Sequence, residues 1–170
     1  MNLMKSIRIE KITLNIGAGK DQPRLERGIA LLSMIANSTP IKTMTNKRIQ
    51  EWGLRPGLPI GCKLTLRKHK ATELLPRLLD AVDNRLHEKQ FDQNGNIAFG
   101  IQEYIEITGV KYDPKIGIMG LQVCITLERP GYRVKKRRLL ARKIPARHRI
   151  SKQEAISFMA DTFKTKIEAE

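Results

Sequence analysis

The sequence predicts an α+β fold: a mostly antiparallel sheet with helices packed on one face and the other face left exposed. Three observations carry it. Segments at 8–16, 62–67 and 121–127 alternate apolar and polar residues at strand spacing. Other segments repeat apolar residues at helical spacing. Strands adjoin through glycine-rich turns as well as through helices, in the order β, α, β, loop, β, α, β, β, α, which fits a mostly antiparallel sheet.

In the first strand Ile12, Leu14 and Ile16 point inward and Lys11, Thr13 and Asn15 outward. A tight turn at 17–20 leads into Asp21-Gln-Pro23, a helix start. Leu25, Ile29, Leu32 and Ala36 predict an amphipathic helix over about 22–38. Gly28 inside it costs about 1 kcal/mol against alanine. The turn lacks phosphate-loop spacing and a Ser or Thr after Lys20, so it reads as a strand-to-helix connection that still offers N–H groups to a phosphate.

After Ser38-Thr-Pro40, residues 41–48 are extended, with Lys42, Thr43, Thr45, Asn46, Lys47 and Arg48 available to RNA. Residues 52–61 hold three glycines and two prolines. They cannot form a helix or a long strand. They also carry Trp52, Leu54, Leu58 and Ile60, and an apolar loop needs a surface to touch. In the next strand Leu64 and Leu66 face inward, and Lys63, Thr65 and Arg67 face outward. A helix over about 72–89 follows, with Leu75, Leu78, Leu79, Val82 and Leu86 as its buried stripe and Pro76 in its first turns.

Residues 91–100 read as a loop and 100–109 as a strand with Ile101, Ile105 and Ile107 on one face. A second glycine-punctuated apolar loop spans 112–120. In the last strand Leu121, Val123, Ile125 and Leu127 face inward, with Gln122, Cys124 and Thr126 outward. Nine of the nineteen residues 131–149 are cations (Arg133, Lys135, Lys136, Arg137, Arg138, Arg142, Lys143, Arg147 and Arg149) and none is acidic. This reads as an extended RNA-contacting arm, disordered alone and ordered by phosphates. Ser151-Lys-Gln-Glu154 is a capping box, and Ile156, Met159, Phe163 and Ile167 give the stripe of a closing helix docked on the body.

The 170 residues form one domain, 1–170. A net charge of +15, from 32 Lys plus Arg against 17 Asp plus Glu, repels itself unless a polyanion neutralises it. Nucleic acid is the fitting class of partner. The open sheet face, with Lys11, Asn15, Thr43, Lys63, Thr65 and Arg67, suits phosphate, ribose and base-edge contacts and is left for RNA. It is too poor in aromatics for a base-stacking platform. There is no run of 18 apolar residues, so there is no membrane span, and the N-terminus lacks an apolar signal core; no membrane partner is expected. Cys62 and Cys124 read as free buried thiols of a reducing cytoplasm. His69 and His87 have no partner at metal-ligand spacing, so no metal site is expected. No nucleophile–base set or carboxylate pair is present, which argues against an enzyme, a cofactor or a small-molecule substrate. A free-standing basic RNA-binding module or RNA chaperone would share the basic face, but would not need the two apolar loops.

Four motifs then bear a resemblance. Lys11-Ile-Thr-Leu-Asn-Ile-Gly-Ala-Gly19, Pro59-Ile-Gly-Cys-Lys-Leu-Thr-Leu-Arg67, Gly95-Asn-Ile-Ala-Phe-Gly-Ile-Gln-Glu103 and Tyr112-Asp-Pro114 occur in the order seen in the universal large-subunit ribosomal protein five family. The match covers nearly the whole chain. The tail, from Arg129-Pro-Gly-Tyr132 to Ile144-Pro-Ala-Arg-His-Arg-Ile-Ser-Lys152, resembles the archaeal and eukaryotic branch. One departure is Ile97-Ala98, where much of the family has an aromatic after Gly-Asn.

The resemblance implies a cytoplasmic protein of the large ribosomal subunit that binds 5S rRNA in the central protuberance, beside large-subunit rRNA and other central-protuberance proteins. It implies 5S rRNA contacts from Asn15 and Thr65, with Lys11, Lys63 and Arg67 on phosphates and Thr43, Lys47 and Arg48 nearby. It places the loop before Pro-Ile-Gly, with Trp52, Arg55 and Leu58, against P-site tRNA. It places Tyr112, Lys115, Ile116 and Met119 at a bridge to a protein of the small-subunit head.

Overall fold

The computed structural model describes residues 2–168. Five strands form the main sheet: β1 (Arg8–Gly17), β2 (Ile41–Met44), β3 (Pro59–Leu66), β5 (Asn96–Ile101) and β6 (Leu121–Glu128). Their order is β2-β3-β1-β6-β5, and every neighbouring pair is antiparallel. Helices α1 (Gln22–Ala36) and α2 (His69–Asp80) pack on one face. The predicted fold class is the observed one.

The alternating residues explain this layering. Ile12, Leu14 and Ile16 on β1, Cys62, Leu64 and Leu66 on β3, and Leu121, Val123, Ile125 and Leu127 on β6 are all buried in one core. Helix α1 adds Leu25, Leu31, Leu32 and Ile35, and α2 adds Leu74, Leu75, Leu78 and Leu79. Gly28 has a specific use here. A Cβ at that position would sit 3.2 Å from Cys62 Sγ and 3.3 Å from an Ile16 methyl, so the missing side chain lets α1 lie close on the sheet. The helical cost of glycine is offset by that approach. Cys62 is buried, and burial pushes its thiol pKa up; Cys124 is also free but half-exposed on the open face, not buried as the sequence reading had it.

Several boundaries differ from the sequence reading. The α2 helix starts at His69 and stops at Asp80, short of the expected 89. Asp83 and Asn84 both take left-handed backbone there, which short polar side chains tolerate. The chain then forms β4 (Arg85–His87), and Pro76 falls inside the helix rather than in its first turns. The fourth sheet strand is Asn96–Ile101, not 100–109. It alternates Ile97, Phe99 and Ile101 into the core, a pattern hidden behind the turn formers at 92–95. Beyond Ile101 the pairing with β6 ends, and a 3-10 turn at Tyr104–Glu106 buries Tyr104 and exposes Ile105.

Helix α4 (Lys152–Phe163) carries the predicted capping box: Ser151 Oγ accepts from Glu154 N–H and Glu154 Oε2 accepts from Ser151 N–H. It ends at a left-handed Lys164. The chain then closes as β7 (Lys166–Glu168), parallel to β4, so Ile167 meets Leu86 in a strand pair instead of extending the helix.

Candidate nucleic-acid interface

The register of the sheet sets the geometry of its open face. Antiparallel partners point to the same side, so cross-strand pairs read as rows. One row runs Ile41, Lys63, Asn15, Gln122, Gly100. The next runs Thr65, Thr13, Cys124, Ala98. A third holds Lys11, Thr126 and Asn96, and a fourth Thr43, Gly61 and Gly17. Lys63 and Arg67 are exposed, and Lys11, Thr13, Asn15, Thr43 and Thr65 are half-exposed. The face therefore presents hydroxyls and amides at its centre, with cations spaced around them. Gly61 keeps it tight, since a Cβ there would lie 2.7 Å from the Ile16 carbonyl oxygen and 3.1 Å from Thr43 Oγ1.

Sequence reasoning marked Lys11, Asn15, Thr43, Lys63, Thr65 and Arg67; Arg67 follows the end of β3 and is exposed, while the sheet brings the first five onto one side. Lys47 and Arg48 lie outside it, exposed in the turn after β2. There Thr45 is buried, and its hydroxyl donates to the Lys47 carbonyl at 3.1 Å. Thr13, Gln122, Cys124 and Thr126 were placed outward but not counted as site residues. Their alternation was the available signal.

Two carboxylates interrupt the cationic character at one end. A register shift between Ile9 and Lys11 is a β-bulge that turns Glu10 toward the open side, beside Glu128. Lys136 Nζ lies 2.7 Å from Glu10 Oε1 and 3.1 Å from Glu128 Oε2, while Arg8 Nη2 lies 2.7 Å from Glu128 Oε1. Burial lowers the Lys136 pKa, but hydrogen bonds to the two carboxylates outweigh it and hold the ammonium more basic than usual. Lys136 is therefore held by carboxylates, the one residue of 131–149 in an ion pair among the described residues.

The arm is not extended. It forms α3 (Arg133–Lys136) and loops back on the body. The Tyr132 hydroxyl donates to the His148 carbonyl at 3.2 Å, the His148 ring packs edge-on to Tyr132, and Arg149 Nε donates to the Ile144 carbonyl at 3.1 Å. These contacts satisfy carbonyls internally and close a cleft of about 340 Å³ against the sheet end, lined by Lys135, Lys143, Arg149, Asn94 and Asn96 among others. At the arm's base Arg129, 5% exposed, donates from Nη2 to Glu154 Oε1 at 2.6 Å and from Nη1 to the Arg149 carbonyl at 3.4 Å. The predicted arm cations Arg133, Lys135, Arg137, Arg138, Arg147 and Arg149 are all on its surface.

The first apolar loop is a closed projection. Ile49 and Leu54 exchange N–H to carbonyl bonds at 3.1 and 2.9 Å, and Gly53 N–H reaches the Gln50 carbonyl at 2.9 Å. That turn puts Trp52 at its tip, 65% exposed, while Leu54 is buried and Leu58 half-buried. Arg55 is exposed beside it. In the second loop, Tyr104 Oη accepts from Asp113 N–H, and Asp113 Oδ1 accepts from Lys115 N–H. Tyr112 and Lys115 are exposed, but Ile116 and Met119 belong to the core and have no surface to offer a partner. Ile118, 70% exposed, is the apolar residue this loop presents, which the sequence reading passed over.

Comparison with known proteins agrees with this organisation. Residues 2–55 match the family described as ribosomal protein L5, and residues 59–158 match the family described as the C-terminus of the same ribosomal protein. The protein is 45% identical over 163 residues to large ribosomal subunit protein uL5 of Methanobrevibacter smithii, covering 96% of each chain. It is 45% identical to that of Sulfolobus acidocaldarius, covering 98% of this chain and 93% of the relative, and 46% identical to that of Nanoarchaeum equitans, covering 96% and 97%. With the polar sheet face, the two apolar loops and the basic arm in place along a full-length match, the chain belongs to the ribosomal protein L5 family.

Proposed function

We propose that this protein is a structural component of the large ribosomal subunit, where the open face of its sheet binds 5S rRNA in the central protuberance. The observation that carries this reading is the row structure of that face: Lys63 beside Asn15, Thr65 beside Thr13, and Lys11 beside Thr126, with no carboxylate left unpaired among its strand residues. Hydroxyls and amides flanked by cations recognise ribose and phosphate while the cations supply attraction. Lys47 and Arg48 extend the charge past the sheet edge. Relatives that match along the full chain carry the name of a large-subunit protein.

The two loops then face other partners. Trp52 and Arg55, held out by the 49–54 turn, contact P-site tRNA by stacking and by charge. Tyr112, Lys115 and Ile118 meet a protein of the small-subunit head. The exposed cations of the arm add further RNA contacts. Sedimentation of the native protein tests this reading against that of a free-standing RNA-binding module or RNA chaperone. Co-migration with large-subunit particles through a high-salt gradient is expected. Recovery with free RNA alone would overturn it.

A further inference from the structure

The tip of the basic arm is an apolar pair in a strained turn. Leu139 and Leu140 are 77% and 78% exposed, among the most exposed large apolar side chains of the described residues. Leu140 holds a φ of 52°, left-handed backbone that a residue with a Cβ rarely adopts. The conformation is built in from both sides. Arg142 N–H donates to the Val134 carbonyl at 3.2 Å and closes the neck, and Arg137 Nε donates to the Leu140 carbonyl at 2.8 Å and fixes the tip. Lys136, just below, fastens the neck to Glu10 and Glu128 on the sheet. Strain kept at an exposed position needs a purpose, because these two side chains add nothing to the buried core of the described residues.

The charge around the tip names the partner. Arg137, Arg138, Arg142 and Lys143 surround the two leucines and are all exposed, and no acidic residue occurs between Glu128 and Glu154. A protein surface that accepted the leucines would also have to neutralise four cations at close range. RNA supplies both needs at once, with phosphates for the cations and unstacked base faces for the apolar pair. We infer that the 137–143 tip is a wedge: Leu139 and Leu140 insert against exposed nucleobases of ribosomal RNA while the four flanking cations hold the adjoining phosphates. The inference rests on the ribosomal reading above and adds an apolar element for base faces, where the open sheet face offers only polar groups to base edges.

The test uses the full chain and large ribosomal subunits stripped of this protein. A photoreactive leucine analogue at position 139 is expected to cross-link to RNA. Leu139→Ser combined with Leu140→Gly is expected to weaken joining of the particle by about tenfold or more, the effect of losing partial burial of two leucines. Because glycine relieves the left-handed backbone at 140, the thermal midpoint should hold or rise while binding falls, an opposition that a merely structural tip would not show. Leu139→Ser alone leaves the backbone untouched and should move binding in the same direction. Cross-linking only to protein, no cross-link, or unchanged joining by both variants would overturn the wedge. If the unaltered protein fails to join the particle at all, the ribosomal reading itself falls, and the wedge with it.

Discussion

Lys63 and Thr65 stand two residues apart on β3, on the same side of the sheet, and should fail in different ways when replaced. Lys63 is exposed and forms no ion pair among the described residues, so Lys63→Gln leaves the fold untouched. A cation neutralising one phosphate contributes about 0.7–0.9 to the slope of log affinity against log salt. At 0.1 M salt its loss therefore weakens binding about five- to eightfold, near 1 kcal/mol, and the deficit shrinks toward 1 M. Thr65 pairs across the strands with Thr13 and carries no charge. Thr65→Ala removes a hydrogen bond worth about 0.5–1.5 kcal/mol, so affinity falls about two- to twelvefold at every salt concentration and the slope stays put. Filter binding of both variants to 5S rRNA at five or more salt concentrations reads both quantities. Identical slopes for Lys63→Gln and the unaltered protein, or unchanged affinity in both variants, would refute the assignment of this face to RNA.

Three further predictions test the supporting structure. Arg129→Met should lower stability by about 1.5–3 kcal/mol, since it removes a charge-assisted bond to Glu154 while that partly exposed carboxylate rehydrates; urea melts that match the unaltered midpoint would show that Arg129 does not anchor the arm and α4. Glu154 titrates below the usual carboxylate range, chiefly because the Ser151 N–H binds it and Arg129 adds to this. Its lowered folded value means the stabilisation is present above the ordinary 4.5 and is lost as pH falls through the lower folded value, so the thermal advantage over Glu154→Gln should vanish in acid; an advantage that persists there would contradict the assignment. Trp52→Ala should leave the melting midpoint and 5S rRNA affinity unchanged but weaken P-site tRNA binding on the ribosome, and a drop in 5S rRNA affinity would show that the two surfaces are not separate.

The strands that bury one face and expose the other were legible because their alternation is complete. Ile12, Leu14 and Ile16 against Lys11, Thr13 and Asn15 fix both the strand and its open side. The α4 start was legible for a similar reason, since the Ser151 and Glu154 spacing is a local code that tertiary contacts left intact. What failed depended on partners far along the chain. The isoleucines at 101, 105 and 107 imitate a strand, but β6 offers no pairing beyond Ile101. The 80–89 segment keeps helical apolar spacing, yet β7, some eighty residues later, draws Leu86 into a strand pair. At the interface, the bulge that turns Glu10 beside Glu128 leaves no mark in composition, so the pairing of Lys136 was invisible and the arm looked free to extend. Ile116 and Met119 looked like contacts because a glycine-punctuated loop carries no periodicity to separate inward from outward side chains.

The deciding measurement is binding of the intact protein to 5S rRNA and to an unrelated RNA of equal length across a salt series. A net charge of +15 guarantees attraction to both at low salt. A face shaped by its rows of hydroxyls, amides and cations predicts that the preference for 5S rRNA persists as salt rises and non-specific attraction collapses. Affinities that fall together, with no preference at any salt, would contradict it and leave only a basic surface.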